Sequence, residues 1–199
     1  EYLKPCTYLV SALQINLRDQ DYFKKLSEKK INAIAFEFIV DEYKQLSLVR
    51  LIGEIAGNIS ILYAAELLAL SNGLMLGGIT GVRPTEVVIL GAGIVGEFST
   101  KAALGLGASV KVFDNSLSKL RRLHMMVDGR VPTSIIDPKE LSKSLKRADV
   151  VIGALSKISL TPIVTEEMVS KMKKGSVIID VTIDNGKVIE TSELTDMEN

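Results

Sequence analysis

The chain has 199 residues, of which 47% are hydrophobic, and its 24 basic and 24 acidic residues balance to a net charge of +0. This balance leaves no overall field that would attract nucleic acid or an anionic membrane, so neither is expected as a partner. The single cysteine, Cys6, cannot form an internal disulfide, which fits a reducing compartment such as the cytoplasm. The longest apolar-rich stretch, residues 59–70, is interrupted by Glu66 and is too short to span a membrane. No metal site is predicted.

The first 44 residues have the pattern of the end of a βαβ domain, and a long helix follows them. The predicted elements are a strand, a helix, a second strand, a loop and the long helix, at residues 7–13, 19–30, 33–38, 41–45 and 50–70. Asn72-Gly73 supplies a stop for that helix. The glycines and the proline of residues 75–84 exclude regular structure there.

A dinucleotide-binding fingerprint follows in its full context. An apolar strand at residues 86–90 runs into Gly91-Ala-Gly93-Ile-Val-Gly96, a helical stretch follows, and a second strand ends at Asp114. In such a fingerprint the first glycine permits a tight turn, the second leaves room for a pyrophosphate, and the third lets the helix pack closely on the sheet. The pyrophosphate is expected on the free N–H groups of the helix that begins near Ile94.

Asp114 predicts the choice of nucleotide. At the end of the second strand its carboxylate can accept hydrogen bonds from both ribose hydroxyls of an adenosine, and it would repel a 2′-phosphate. NAD is therefore favoured over NADP. Arg121 and Arg122 are expected on a solvated helix face, with binding of a phosphate as the alternative.

Strands and helices alternate beyond the fingerprint. Strands are predicted at residues 110–113, 131–133, 150–152 and 177–181, and helices at 116–126, 138–146 and 165–172. This alternation predicts a Rossmann α/β fold, a doubly wound parallel sheet with helices on both faces, together with a remnant of a second α/β domain. The carboxyl ends of the strands should line one crevice that includes Asp114, Ala154, Leu155 and residues 180–184.

Several segments resemble the alanine dehydrogenase family. They are Met-Leu-Gly77-Gly78-Ile-Thr-Gly81-Val-Arg-Pro84, the fingerprint itself, Ala148-Asp-Val-Val-Ile-Gly-Ala154 and Gly175-Ser-Val-Ile-Ile-Asp-Val-Thr-Ile-Asp184. The resemblance covers most of residues 33–194. It implies a two-domain enzyme that converts L-alanine, NAD+ and water to pyruvate, ammonia and NADH. On this basis residues 1–44 would be a partial substrate domain and residues 45–199 the NAD-binding domain with its linker helix.

The resemblance also implies the roles of individual residues. Asp184 would be the catalytic carboxylate, which organises the ammonium or water of the substrate; its alternative is a turn residue before Asn185-Gly186. The residues expected to contact NAD are Gly91, Ala92, Gly93, Ile94, Val95, Gly96, Asp114, Asn115, Lys119, Ala154, Leu155, Val181, Ile183 and Asp184.

The chain departs from the family at several positions. Gln14 stands where a catalytic histidine is usual, and the one histidine, His124, is expected at the surface. Gly53 replaces a serine expected near the nicotinamide carboxamide, and the loop at residues 156–162 is shorter than usual. The family's substrate-binding arginine and lysine lie in an amino-terminal region that this sequence lacks, so a fragment that binds NAD without turning over alanine is expected.

Two other functions stay open beside alanine dehydrogenase. One is the NAD(H)-binding alpha subunit of a proton-translocating NAD(P) transhydrogenase, whose domain is similar but less close. The other is a non-catalytic NAD-binding module, which the absent histidine and Gly53 would suit. The resemblance implies a cytoplasmic homo-oligomer that acts on a small amino acid or 2-oxo acid.

Overall fold

The computed structural model describes residues 3–15, 18–155 and 162–195. The chain divides into two compact units, Glu1–Ile52 and Gly53–Asn199. The functional assignment of residues 1–44 and 45–199 to a substrate domain and an NAD-binding domain stays a prediction. Each unit is built around parallel strands.

The first unit contains a two-stranded parallel sheet and one helix. Its elements are β1 (Tyr8–Ser11), α1 (Gln20–Glu28) and β2 (Asn32–Ala35). The Asp19 side chain caps α1 by accepting a hydrogen bond from the Tyr22 N–H. The strand predicted over 33–38 is wrong at its end, because Phe36–Phe38 forms a short 3-10 helix. The ladder ends where Ser11, the last residue of β1, pairs with Ala35.

A 26-residue helix, α2, runs over Ser47–Asn72 and confirms the predicted long helix. Its buried positions recur every three or four residues: Gly53, Gly57, Ser60, Ile61, Ala64 and Leu68. Among the described residues it is the one helix that is long and apolar enough to cross a membrane, although Glu66 interrupts it. One such helix is weak support for a membrane span, because the core helices of soluble proteins share these properties.

The second unit contains a five-stranded, fully parallel sheet in the order β5-β4-β3-β6-β7. The strands are β3 (Glu86–Leu90), β4 (Ser109–Phe113), β5 (Thr133–Ser134), β6 (Val150–Gly153) and β7 (Val177–Asp180). The strand predicted at 131–133 instead begins at Thr133 and ends at Ser134. Pro132 has no N–H to donate to the ladder, although its carbonyl accepts a hydrogen bond from the Val112 N–H.

Helices cover both faces of this sheet. They are α3 (Ile94–Gly105), α4 (Leu117–Met126), α5 (Pro138–Leu145) and α6 (Glu166–Ser170). Residues of α2, α3 and α4 pack in one apolar cluster with Val87 and Ile89. Residues of α5 pack with Val88 and Leu90 in a second cluster. Because alternate residues of β3 belong to different clusters, both faces of the sheet are buried, which confirms the predicted doubly wound fold.

The connections return each strand to the same direction, so the carboxyl ends of all five strands lie along one edge. The glycine loop follows β3, Asp114 follows β4, and Ala154 follows β6. β3 and β6 are neighbours although two strands lie between them in sequence. This reversal of strand order is the point at which open parallel sheets bind ligands.

Candidate functional site

The glycine loop passes very close to the end of β6. Gly91 has a φ of +118°, and a Cβ on it would lie 2.4 Å from the carbonyl oxygen of Ala154. A Cβ on Gly96 would lie 1.8 Å from the carbonyl oxygen of Gly91, so the first turn of α3 packs directly on the loop. Any other residue at either position would displace backbone.

Gly93 differs from both of these glycines. No described atom lies within 4 Å of the place where its Cβ would be, so the backbone faces open space. Gly93 precedes α3, whose start no described side chain caps with a hydrogen bond. The first-turn N–H groups of a helix lack intrahelical partners, and they favour an anion. The residues present therefore fit the pyrophosphate of a dinucleotide.

Asp114 is buried, with 4% of its surface exposed. Its Oδ2 accepts a 2.8 Å hydrogen bond from the Ala92 N–H, and its Oδ1 accepts a 2.7 Å bond from the Ser116 N–H. Each carboxylate oxygen can accept a further hydrogen bond. The side chain is thus held in one orientation and keeps acceptor capacity for ribose hydroxyls.

The residues after Asp114 continue this part of the site. Asn115 is exposed, and Ser116 caps α4 by accepting a hydrogen bond from the Lys119 N–H. Lys119 is half-buried in the first turn of that helix. His124 is exposed on the same helix, as predicted.

Ala154 and Leu155 are buried where β6 ends. The Ala154 N–H donates a 2.7 Å hydrogen bond to the Leu90 carbonyl, which ties this end of β6 to the residue before the glycine loop. The glycine loop also packs closely on the end of β6, because a Cβ on Gly91 would overlap the Ala154 carbonyl oxygen. Residues 156–161 of the loop predicted to be short lie outside the described residues.

The end of β7 borders a cavity of about 520 Å³. Asp180 lines it, as do Ile183 and the exposed Asp184, which lie in a short 3-10 helix, Ile183–Asn185. The Oδ1 atom of Asp180 accepts hydrogen bonds from the N–H and hydroxyl of Thr182. Its buried Oδ2 has no hydrogen-bond partner among the described residues. Val181 is half-buried, and its N–H donates to the Gly153 carbonyl.

The predicted residues thus fall into two groups. The contacts described above join the glycine loop, Asp114 and the end of β6. Ile183 and Asp184 lie instead beside the cavity at β7. The hydrogen bond from the Val181 N–H to the Gly153 carbonyl ties the end of β6 to the segment that leads into Ile183 and Asp184.

Two charged residues of this site were missed or wrongly placed by the sequence patterns. Glu97 is fully buried in the first turn of α3, with Oε1 2.7 Å from Lys101 Nζ and Oε2 3.6 Å from a terminal nitrogen of Arg122. That nitrogen also donates a 3.4 Å hydrogen bond to the Ala92 carbonyl. The expectation of a solvated face fits the exposed Arg121 but is wrong for Arg122, which is half-buried. The sequence did contain a signal for the buried Glu97. It directly follows Gly96, on a helix that the fingerprint predicts to pack closely on the sheet.

The family model for the alanine dehydrogenase/PNT C-terminal domain matches residues 60–199. The chain belongs to this family. The match includes the whole glycine loop, all five strands of the second sheet and Asp184, and it confirms the identification made from the motifs.

The chain is similar to curated alanine dehydrogenases. The enzyme of Methanococcus maripaludis is 39% identical over 173 residues, which are 84% of this chain and 46% of that protein. Alanine dehydrogenase 2 of Staphylococcus aureus is 35% identical over 197 residues, or 96% of this chain and 53% of that protein. The chain therefore spans about half the length of the curated relatives that it matches.

The fold of this chain is similar to the folds of two solved structures. An L-alanine dehydrogenase has a TM-score of 0.89 at 32% identity and covers 99% of this chain, which covers 56% of that one. A transhydrogenase from Sinorhizobium meliloti has a TM-score of 0.77 at 18% identity, with 96% of this chain and 58% of that one covered. At that identity the second likeness bears on the fold alone.

Proposed function

We propose that this chain is the NAD-binding part of an alanine dehydrogenase, an enzyme that interconverts L-alanine and pyruvate with release of ammonia. The observation that carries the proposal is the glycine loop. It leaves open space at Gly93 and holds the buried Asp114 beside it, within a chain that matches alanine dehydrogenases along most of its length. The transhydrogenase alternative has weaker support, because its likeness is one of fold.

The glycine loop and Asp114 would hold the adenosine and pyrophosphate of NAD. The N–H groups at the start of α3 bind the pyrophosphate, and Asp114 accepts hydrogen bonds from the adenosine ribose. Asn115 and Lys119 lie close after Asp114 in sequence and complete the adenosine end. Ile94 and Val95 in the first turn of α3, with Ala154 and Leu155 after β6, form the apolar wall.

Asp184 and Ile183 would serve the nicotinamide end. NAD, when bound, supplies a hydride acceptor at C4 of its nicotinamide. Asp184 is exposed beside the cavity at β7 and bears a negative charge, which would stabilise positive charge on the nitrogen of the substrate. Val181 and Ile183, which are close to Asp184 in sequence, would provide apolar contact with the nicotinamide.

The 199-residue chain is proposed to bind NAD and not to convert alanine. Relatives are about twice as long. The substrate-binding arginine and lysine implied by the resemblance have no counterpart among these residues. Gln14 stands where a histidine was expected, and an amide cannot take up or release a proton near neutral pH.

A homo-oligomer in the cytoplasm is proposed for the protein that contains this chain. The single cysteine and the balanced charge suit a reducing compartment without a charged surface partner. Ile55, Ile59 and Leu62 of α2 are each more than half exposed, and such apolar side chains suit association between subunits. Light scattering on the purified protein would measure its mass in solution.

Two measurements test the function. Calorimetric titration of the 199-residue chain should show binding of NAD, and absence of binding would overturn the proposal. A protein of the relatives' full length that includes this chain should reduce NAD when L-alanine is added, and Asp184→Asn should lower that rate at unchanged NAD affinity. Binding without any reduction across the common amino acids would favour the non-catalytic module, and hydride exchange that requires a membrane partner would favour the transhydrogenase.

A further inference from the structure

Glu97 is a fully buried carboxylate on the helix that carries the glycine fingerprint. A buried charge is costly unless it is paired. Glu97 faces two cations: Lys101 one turn further along α3 at 2.7 Å, and Arg122 of α4 at 3.6 Å. Its Oε2 atom accepts no hydrogen bond from the described residues and interacts with Arg122 through the ion pair.

Arg122 and Asp114 both form hydrogen bonds with Ala92 of the glycine loop. Its terminal nitrogen donates to the Ala92 carbonyl at 3.4 Å, whereas the Ala92 N–H donates to Asp114 at 2.8 Å. One residue of the glycine loop therefore has a guanidinium on its carbonyl side and a carboxylate on its amide side. The guanidinium and the proposed ribose ligand Asp114 therefore contact the same residue, Ala92.

An arginine in this position is the residue type that accommodates a 2′-phosphate in enzymes that use NADP. Its planar fork matches the oxygens of a phosphate and forms strong charge-assisted hydrogen bonds with them. Asp114 opposes such a ligand by repulsion. The arrangement around Ala92 thus contains one group that would exclude NADP and one that would attract it.

We infer that Glu97 is a positioning residue for nucleotide specificity, which holds Arg122 against the glycine loop and so prevents it from serving a 2′-phosphate. Pairing with Glu97 neutralises the guanidinium and orients it toward α3. Asp114 then acts unopposed at the ribose. This inference rests on the proposed function, because it concerns the choice between NAD and NADP at the same site.

The test compares the affinities of the 199-residue chain and its variants for NAD and NADP by calorimetry. Glu97→Gln keeps the shape of the side chain and removes its charge. It should raise the affinity for NADP relative to NAD by about tenfold, the effect of roughly one additional charge-assisted hydrogen bond. An unchanged ratio would overturn the inference. Failure of the unmutated chain to bind NAD would instead overturn the proposed function.

Two double variants separate release of Arg122 from a simple change of net charge. Glu97→Gln with Arg122→Gln should lose the gain in NADP affinity. Glu97→Gln with Lys101→Gln has the same net charge as that variant, yet it should keep the gain because Arg122 is still present. Equal behaviour of the two double variants would contradict the assigned role of Arg122.

A further variant keeps the inference testable if Glu97→Gln does not fold. Arg122→Gln alone should leave the NADP affinity within about threefold of the unmutated chain, because the guanidinium is already engaged by Glu97. A loss of about tenfold or more would show that Arg122 serves the nucleotide in the unmutated protein, and the inference would then be wrong.

Discussion

The Ala92 N–H donates a 2.8 Å hydrogen bond to Oδ2 of Asp114, and this bond joins the glycine loop after β3 to the end of β4. The other oxygen of the same carboxylate accepts from the Ser116 N–H and so fixes the start of the next turn. Asp114 is therefore a structural anchor of the loop as well as the proposed ribose ligand. Its substitution should affect stability and nucleotide binding together.

Asp114→Asn should weaken NAD binding by about 1 to 2 kcal/mol, because an amide is a weaker acceptor than a carboxylate for the ribose hydroxyls. It should also narrow the difference between NAD and NADP, because the repulsion of a 2′-phosphate is removed. Titration calorimetry with both nucleotides measures this. Asp128→Asn, at an exposed position, is the matched control and should change neither affinity. Tighter binding of NADP than of NAD by the unmutated chain would contradict the role of Asp114.

The fingerprint glycines should separate into structural and ligand-facing positions. Gly93→Ala places a methyl group in open space, so it should leave stability within about 0.5 kcal/mol and weaken NAD binding by about tenfold or more. Gly96→Ala overlaps the Gly91 carbonyl and should destabilise the chain by about 1 to 3 kcal/mol. Urea unfolding and calorimetric titration measure the two effects.

Gly105→Ala is the control for both glycine variants. This residue ends α3 with no described atom within 4 Å of its would-be Cβ, and alanine should stabilise the helix by up to about 1 kcal/mol. NAD affinity should not change. Equal loss of stability in Gly93→Ala and Gly96→Ala would contradict the difference in their surroundings.

Leu68 and Leu70 of α2 should respond differently to the same truncation. Leu68 is fully buried and Leu70 is 78% exposed. Leu68→Ala should lower the free energy of unfolding by about 2 to 5 kcal/mol, because it leaves a cavity in the core. Leu70→Ala should change it by less than about 0.5 kcal/mol. Similar effects of both variants on urea unfolding would contradict the burial of Leu68 and the exposure of Leu70.

Glu140 should contribute stability that depends on pH. A 2.6 Å hydrogen bond from Lys111 Nζ, and next the charge of that group, lower the pKa of Glu140 from its usual value. A carboxyl with a depressed folded pKa stabilises the protein above its unfolded pKa of about 4.3, and this contribution disappears as the pH falls through the lower folded value.

Glu140→Gln should therefore lower the urea midpoint at pH 7, and the difference from the unmutated chain should shrink as the medium is acidified below about pH 4.3. Glu42→Gln, at an exposed position in the first unit, serves as the control. A difference at pH 7 that persists unchanged in acid would exclude the ion pair as its source.

Most elements of the fold were predictable because their signals are local. The strand at Glu86–Leu90 and the helix that starts at Ile94 follow from an apolar run and a glycine loop. The long helix follows from its apolar spacing and the Asn72-Gly73 stop. Errors occur at sheet ends, at Phe36–Phe38 and at β5, because the length of a strand depends on its neighbour in the sheet and not on its own residues.

The sequence by itself determined the glycine fingerprint, the residue at the end of β4 and the alternation that gives a parallel sheet, because each depends on nearby residues and on backbone geometry. Only the tertiary structure decided which carboxylate pairs with Arg122. Glu97 and Arg122 lie on different helices, and their approach depends on how α3 and α4 pack against one sheet. A buried carboxylate must find its cation in three dimensions, and no spacing along the chain specifies which cation that is.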